Sequence, residues 1–250
     1  ASGGVGSVAA LVVDARRGLL YVGGSFSRVG GANVPAAGVA QLNLATGAWS
    51  ALGKGLSGAM RGGDASVAVR ALALDPTSGM LAVGGSFARA GGASSAGAAR
   101  WTPAKKGGSW RALGTGAGGV VDAISVDGAG GIAVAGHLGT DVVRSWSPTT
   151  GAWETAGTAS LFADAPRLLV ATAAGLLAGR GVGWYGPALQ IRDIGSGSGW
   201  SAFAGDVTYP RRTAWVSAGA ALADGRIAIG GSFQVAGGAA AGNVAVVNPN

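Results

Sequence analysis

Cysteine is absent from the 250-residue chain. That excludes disulfides, thiolate metal sites and cysteine nucleophiles. Histidine and glutamate occur once each, as His137 and Glu154. A single imidazole cannot build a histidine-rich metal centre. Paired carboxylates for glycoside hydrolysis are hard to nominate with so few acids. Charged residues make up only 12% of the chain, about half the usual share. No apolar run reaches the ~18 residues of a membrane helix, so no membrane insertion is expected. The longest candidate, "LLVATAAGLLAG" over 168–179, is broken by glycine. No Asn-x-Ser/Thr sequon occurs. The chain opens "ASGG", without methionine or a leader pattern, so a mature chain and a segment of a longer protein both stay open.

What the chain does have is glycine. Fifty glycines accompany a 48% hydrophobic content. There is no Gly-X-Y period, which excludes collagen. The apolar content is too high for disorder. A turn-rich, ordered β protein follows. Lysine and arginine number 18 against 11 acids, a net charge of +7. That balance favours acidic partners without choosing among them.

An internal repeat organises this composition. "GGSFSRVGG" at Gly23 returns as "GGSFARAGG" at Gly84 and "GGSFQVAGG" at Gly230. Degenerate copies start at Ala135 and Ala178. The units hold two apolar runs joined by a short turn, then the glycine motif, a third run and a tryptophan, except that the fifth stops before its tryptophan. The unit length suits a four-stranded propeller blade. The expected fold is an all-β propeller of four-stranded antiparallel blades in one domain over 1–250. Five repeats are recognisable, at about 8–57, 67–116, 120–157, 166–204 and 213–250, the last incomplete. Asp14, Asp75, Asp127 and Asp224 fall at the first turn of their units, where aspartate binds its own backbone. Runs that are apolar throughout suit strands covered on both faces.

On these residues the chain resembles the Kelch type of β-propeller repeat. Gly23-Gly24 followed by Leu42 and Trp49 fits that pattern, as does Trp146 with Trp153. Trp101 with Trp110, and Ile191 with Trp200, fit with two extra turn residues. The longer string "GGSF…GG…VAQLNLATGAWSALGKGL" resembles the propeller repeats of fungal cortical polarity-marker and related large surface proteins. The resemblance implies an extracellular or cell-surface location. Kelch propellers that are copper-radical oxidases use Cys, Tyr and two His, a set this chain lacks. The last blade lacks its fourth strand, and an uncovered edge invites association, so something is expected to cover it.

The glycine motif is not a phosphate loop. No Gly-Lys-Ser/Thr follows Gly24 or Gly85, and the glycines precede another strand rather than a helix. They read as blade corners that allow close packing and positive φ. His137 takes the slot of Ser25, Ser86 and Ser232, and a polar corner role is preferred to catalysis. Trp49, Trp110, Trp153 and Trp200 are expected on outer strands, packed between blades.

Sorted by connection, one face carries Arg28, Lys54, Arg61, Arg89, Arg180, Arg211 and Arg212 against Asp64, Asp164 and Asp206. The other carries Arg16-Arg17 and Lys105-Lys106. Candidate contacts for a protein partner or an acidic glycan are Arg28, Arg89, Arg180, Trp184, Tyr185, Arg211 and Arg212. Nucleic acid is disfavoured, because basic residues are not interleaved with exposed aromatics. No catalytic, cofactor or metal site is nominated. The expected role is a non-catalytic structural or protein-interaction module of a larger assembly. A lectin-like module is the alternative, and an enzyme with an unrecognised site comes third.

Overall fold

A computed structural model describes residues 6–58, 60, 67–105, 107–158, 165–172, 175–179, 188–193, 199–203, 206–209, 214–222 and 224–249. All regular structure among the described residues is β-strand or turn, with no helix. Among the described residues, four antiparallel four-stranded sheets and a three-stranded one follow one another along the chain, with smaller sheets built from their connections. Each of the five is a meander, with strands paired in sequence order. The first comprises Ser7–Asp14, Leu19–Ser25, Val39–Asn43 and Trp49–Ala51. The second comprises Ala68–Leu74, Leu81–Ser86, Ala98–Ala104 and Gly107–Ala112. Val120–Val126, Ile132–Leu138, Asp141–Ser147 and Ala152–Thr158 form the third. Leu168–Ala171, Gly175–Gly179, Leu189–Asp193 and Ser201–Ala202 form the fourth. The fifth holds Trp215–Ala221, Ile227–Ser232 and Val244–Val247.

The chain divides into two compact units, Ala1–Val134 with Trp146–Trp153, and Ala135–Ser145 with Glu154–Asn250. The core of the first unit gathers Tyr21, Val39, Leu52, Val69, Leu81 and Phe87, all at most 1% exposed. That of the second gathers Leu177, Leu189, Val216, Ile227 and Phe233, all fully buried. Burying each such side chain contributes about 1.5–3 kcal/mol. Strands buried on both sides explain why the runs read as apolar rather than alternating.

The first turn of four of the five sheets is closed by its aspartate, as the spacing predicts, and in the fourth sheet the Thr172 hydroxyl accepts the Gly175 N–H at 3.1 Å instead. Asp14 Oδ1 accepts the Arg17 N–H at 3.1 Å, and Asp75 Oδ1 the Thr77 N–H at 2.9 Å. Asp127 Oδ1 accepts from Ala129 and Gly131 at 2.9 and 2.7 Å, and Asp224 from Arg226 at 3.1 Å.

The glycine motif divides its labour. At the second glycine of the leading pair, a Cβ would lie against the backbone of the sheet's own first strand. The distances are 2.0 Å from Ser7 O at Gly24, 2.1 Å from Ala68 O at Gly85, and 2.1 Å from Trp215 O at Gly231. That strand is bulged opposite the pair, with register shifts at Val8/Ala10, Val69/Ala71 and Val216/Ala218. Such a bulge brings backbones together and leaves no room for a side chain. The first glycine of the pair faces the next sheet. A Cβ at Gly23 would lie 2.5 Å from Val69 Cγ1, and one at Gly84 2.5 Å from Val121 Cγ1.

Within the three full copies of the motif, positive φ falls in the second glycine pair and at the residue before the third strand. The leading pair was expected to share it and does not. Gly30 and Gly91 have φ of 69° and 60°, and a Cβ on either would strike Trp49 or Trp110 of the same sheet. Gly38, Gly97 and Asn243 have φ of 71°, 85° and 68°. Their carbonyls accept from Gly24, Gly85 and Gly231, and their N–H groups donate to Phe26, Phe87 and Phe233. The Gly-Gly-Ser-Phe string thus holds the third strand by two backbone bonds in each full copy.

Two of the motif's residue couples, Leu42 with Trp49 and Trp101 with Trp110, stand opposite one another on neighbouring strands. Ile191, however, pairs with Ser201 rather than Trp200. Trp200 precedes the outer strand by one residue, because that strand is only two residues long here.

Candidate interaction surface

The connection between second and third strands is a small hairpin in three of the sheets. In the first unit, Arg28–Val29 pairs with Val34–Pro35, and Arg89–Ala90 with Ala93–Ser94. Arg89–Ala90 also pairs with Leu56–Ser57, the linker arriving from the first sheet. The Gly91 N–H donates to Gly55 O at 2.9 Å and fixes that crossing. In the second unit, Val235–Ala236 pairs with Ala239–Ala240 and with the linker Val207–Thr208. One backbone scaffold therefore presents different side chains at an equivalent position: Arg28, Arg89 and Val235.

Arg28 and Arg89 are exposed, as is Lys54 in the turn before the linker. Arg28 Nη1 donates to Asn33 O at 2.9 Å, within its own hairpin. Asn33 has φ of 58°, a left-handed turn position that asparagine tolerates. The other candidate contacts, Arg180, Trp184, Tyr185, Arg211 and Arg212, lie outside the described residues, as do Arg61, Asp64, Lys106 and Asp164.

Asp206 is half-buried and binds backbone. Its carboxylate accepts the N–H groups of Leu189 at 2.9 Å, Val207 at 2.8 Å and Ala188 at 3.3 Å. It ties the third strand of the fourth sheet to the outgoing linker. Arg16 and Arg17 are likewise absorbed by architecture. Arg16 Nη1 donates to Thr77 O at 2.6 Å, and Arg17 Nη2 to Ser78 O at 3.2 Å. They brace the turn of the next sheet, while Arg17 also pairs with Asp14 at 2.8 Å.

The tryptophans form an indole series between sheets. Trp110 Nε1–H donates to Leu52 O at 2.7 Å and Trp153 Nε1–H to Leu113 O at 2.7 Å, both in the first unit. Trp200 donates to Ala156 O at 2.6 Å in the second unit. Each acceptor stands three residues after the preceding tryptophan of the series, at Trp49, Trp110 and Trp153.

Sequence reasoning missed an ion pair between sheets. Arg70 and Asp122 meet at 2.6 Å. Aligning the repeats puts both in the slot after the buried valine (Val69 and Val121), and that was the available signal. Arg100 stacks over Trp146, 5.1 Å from the ring centroid, a contact worth about 0.5–1 kcal/mol when exposed.

Little reactive chemistry is assembled among the described residues. His137 and Glu154 are exposed. No group of three or more His, Cys, Asp or Glu is positioned to hold a metal among the described residues. Burial alone would raise the Asp75 carboxyl, but the Ser78 hydroxyl and the Thr77 and Ser78 N–H groups overcome it and hold the group below its usual range. The Arg226 side chain lowers Asp224 in the same direction. Both are turn carboxylates held ionised by the bonds that close the turn.

No family model and no curated protein matches this sequence. Solved structures do resemble it. The GH74 xyloglucanase from Xanthomonas campestris shares 19% identity at a TM-score of 0.59, covering 100% of this chain and 37% of that one. The extracellular domain of a putative hybrid two-component system from B. thetaiotaomicron shares 11% identity at a TM-score of 0.56, covering 97% and 26%. The chain therefore spans well under half the length of these structures. At such identities the likeness concerns the all-β fold. No helix among the described residues is long and apolar enough to cross a membrane.

Proposed function

We propose that this chain is a non-catalytic structural or protein-interaction module of a larger extracellular or cell-surface assembly. In this reading its sheets are Kelch-like propeller blades, akin to those of fungal polarity markers. The observation that carries the reading is the economy of its polar side chains. The turn aspartates, Asp206, Arg16 and Arg17 all bind backbone, so their chemistry is used in holding the scaffold. Among the residues that stay exposed, Arg28 and Arg89 share one variable hairpin position with Val235. A uniform frame with variable loops is how binding scaffolds are built. The extracellular domain among the structural neighbours supports the location.

The test is affinity purification of the tagged chain from its native source at low salt. A stoichiometric protein partner that is lost on combined Arg28→Ala and Arg89→Ala supports the module. Retention of every partner by that variant argues against the hairpin face.

A lectin-like role is the second reading. It is favoured by the fold likeness to a xyloglucanase and by the exposed arginines. Retention on a glycan array, abolished by Trp184→Ala or Arg28→Ala, would establish it and displace the first. Hydrolytic turnover lost on His137→Ala or Glu154→Ala would displace both.

A further inference from the structure

Within the first unit, each junction between successive sheets repeats one fit. A valine near the start of the incoming first strand enters the gap left by the first glycine of the preceding pair. Val69 does so at Gly23 and Val121 at Gly84. These valines are 1% and 0% exposed. Leu72 and Ile124 flank them, 3.3 and 3.5 Å from the same Cβ positions.

The pattern has an unused half in each unit. In the first, Val8 stands opposite Gly24 as Val69 stands opposite Gly85. Yet Val8 is 59% exposed, and Leu11 and Val13 are 61% and 52% exposed. This is a knob without a hole. In the second unit, Gly230 pairs with Val244 as Gly23 pairs with Val39 and Gly84 with Ala98. A Cβ on Gly230 would meet nothing nearer than 3.9 Å. Val39 and Ala98 are fully buried, but Val244 is 68% and Val246 50% exposed. This is a hole without a knob. Aligned apolar side chains of this kind on sheet faces mark association sites.

We propose that the Val8–Leu11–Val13 face of one copy of this chain docks on the Gly230–Val244–Val246 face of a second copy. Val8 fills the gap over Gly230, as Val69 fills that over Gly23. A second copy is the occupant because the chain itself carries both halves of the fit, in the register its internal junctions already use. The two faces differ, so the contact is head to tail and propagates into a ring or a filament. The inference rests on the internal junctions and stands apart from the functional reading above.

Sedimentation velocity on the 250-residue chain tests it, from about 1 to 100 μM, a span over which a micromolar contact fills. The mean mass is expected to rise with concentration. Val8→Asp and Gly230→Val each weaken association by about tenfold or more, while the thermal midpoint of the single chain holds. Mixed, the two variants form a pair and nothing larger, since each retains the face the other lacks. A single-chain mass at every concentration overturns the proposal. So does a monomer whose midpoint drops on Val8→Asp, because that face is then covered within its own chain. Association that survives both substitutions, or variants that fail to pair on mixing, overturns it as well.

Discussion

The indole of Trp110 donates to the carbonyl of Leu52 at 2.7 Å, across 58 residues of chain. The same carbonyl also accepts the Gly55 N–H at 2.9 Å, closing the turn that launches the linker. One oxygen therefore fixes both the exit of the first sheet and the outer strand of the second. Trp110→Phe keeps an aromatic ring against Trp101, whose centroid is 5.4 Å away, and removes this bond with a small part of the packing. The expected loss is about 1 kcal/mol by urea unfolding, the net worth of one neutral hydrogen bond. Trp110→Ala should cost about 3–5 kcal/mol, because the packing goes too. Equal losses for the two variants would mean that the bond, not the ring, holds the junction.

The two leading glycines should respond unequally to alanine. Gly85→Ala places its Cβ 2.1 Å from the carbonyl oxygen of Ala68, so backbone must move. Gly84→Ala meets the side chain of Val121, which yields more readily. Gly84→Ala should cost about 1–3 kcal/mol, as overpacking does, and Gly85→Ala more. Gly230→Ala has open space and ordinary φ, and should be close to neutral. Thermal midpoints ordered 85 lowest, then 84, then 230 check this.

Asparagine should rescue one left-handed position and not its counterpart. Asn243 sits at φ 68° where Gly38 and Gly97 have 71° and 85°. A Cβ at Gly38 meets a side-chain methyl of Val67 at 3.0 Å and lies in ordinary contact with Gly24 O at 3.4 Å, whereas one at Gly97 lies 1.9 Å from Gly119 O. Gly38→Asn should thus cost about 1 kcal/mol or less, within the penalty asparagine pays for this backbone. Gly97→Asn should be poorly folded. Circular dichroism melts of the two variants decide it.

Acid should attack the turns. Asp75 is buried and its pKa is held below the usual carboxylate value, despite desolvation, by Ser78 and Thr77. A depressed folded pKa stabilises the fold above the unfolded value of about 3.9. That contribution is lost as pH falls through the lower folded value. Asp75→Asn should therefore flatten the decline of stability below about pH 4, the unfolded carboxylate range. The readout is the difference in urea midpoint between neutral and acid pH. An unchanged acid slope in the variant would remove Asp75 from the account.

Much of this scaffold was legible from the chain alone. The repeat of "GGSF" and tryptophan located the sheets. Aspartate before glycine located their turns, because aspartate there closes on its own backbone. The candidate surface was legible only in part. Arg28 and Arg89 emerged as equivalent hairpin residues, as their repeat slot implied. Arg16, Arg17 and Asp206 counted as surface charge in the sequence, yet they bind backbone of neighbouring segments. Charge type predicts solvation, and only placement shows whether a carbonyl or an N–H lies within reach.

Sequence by itself determined the local plan: antiparallel meanders, turn aspartates and glycine corners. These follow from short-range rules of backbone conformation and hydrogen bonding. Tertiary structure decided what each repeated residue is for. Gly23 and Gly24 are adjacent and identical in sequence. One makes room for Val69 of the next sheet and the other for the carbonyl of Ser7 in its own. Val8 and Val69 hold one slot of the repeat, and one is exposed while the other is buried. The difference lies in whether a neighbouring sheet covers them, and packing between sheets is a property that no single repeat contains.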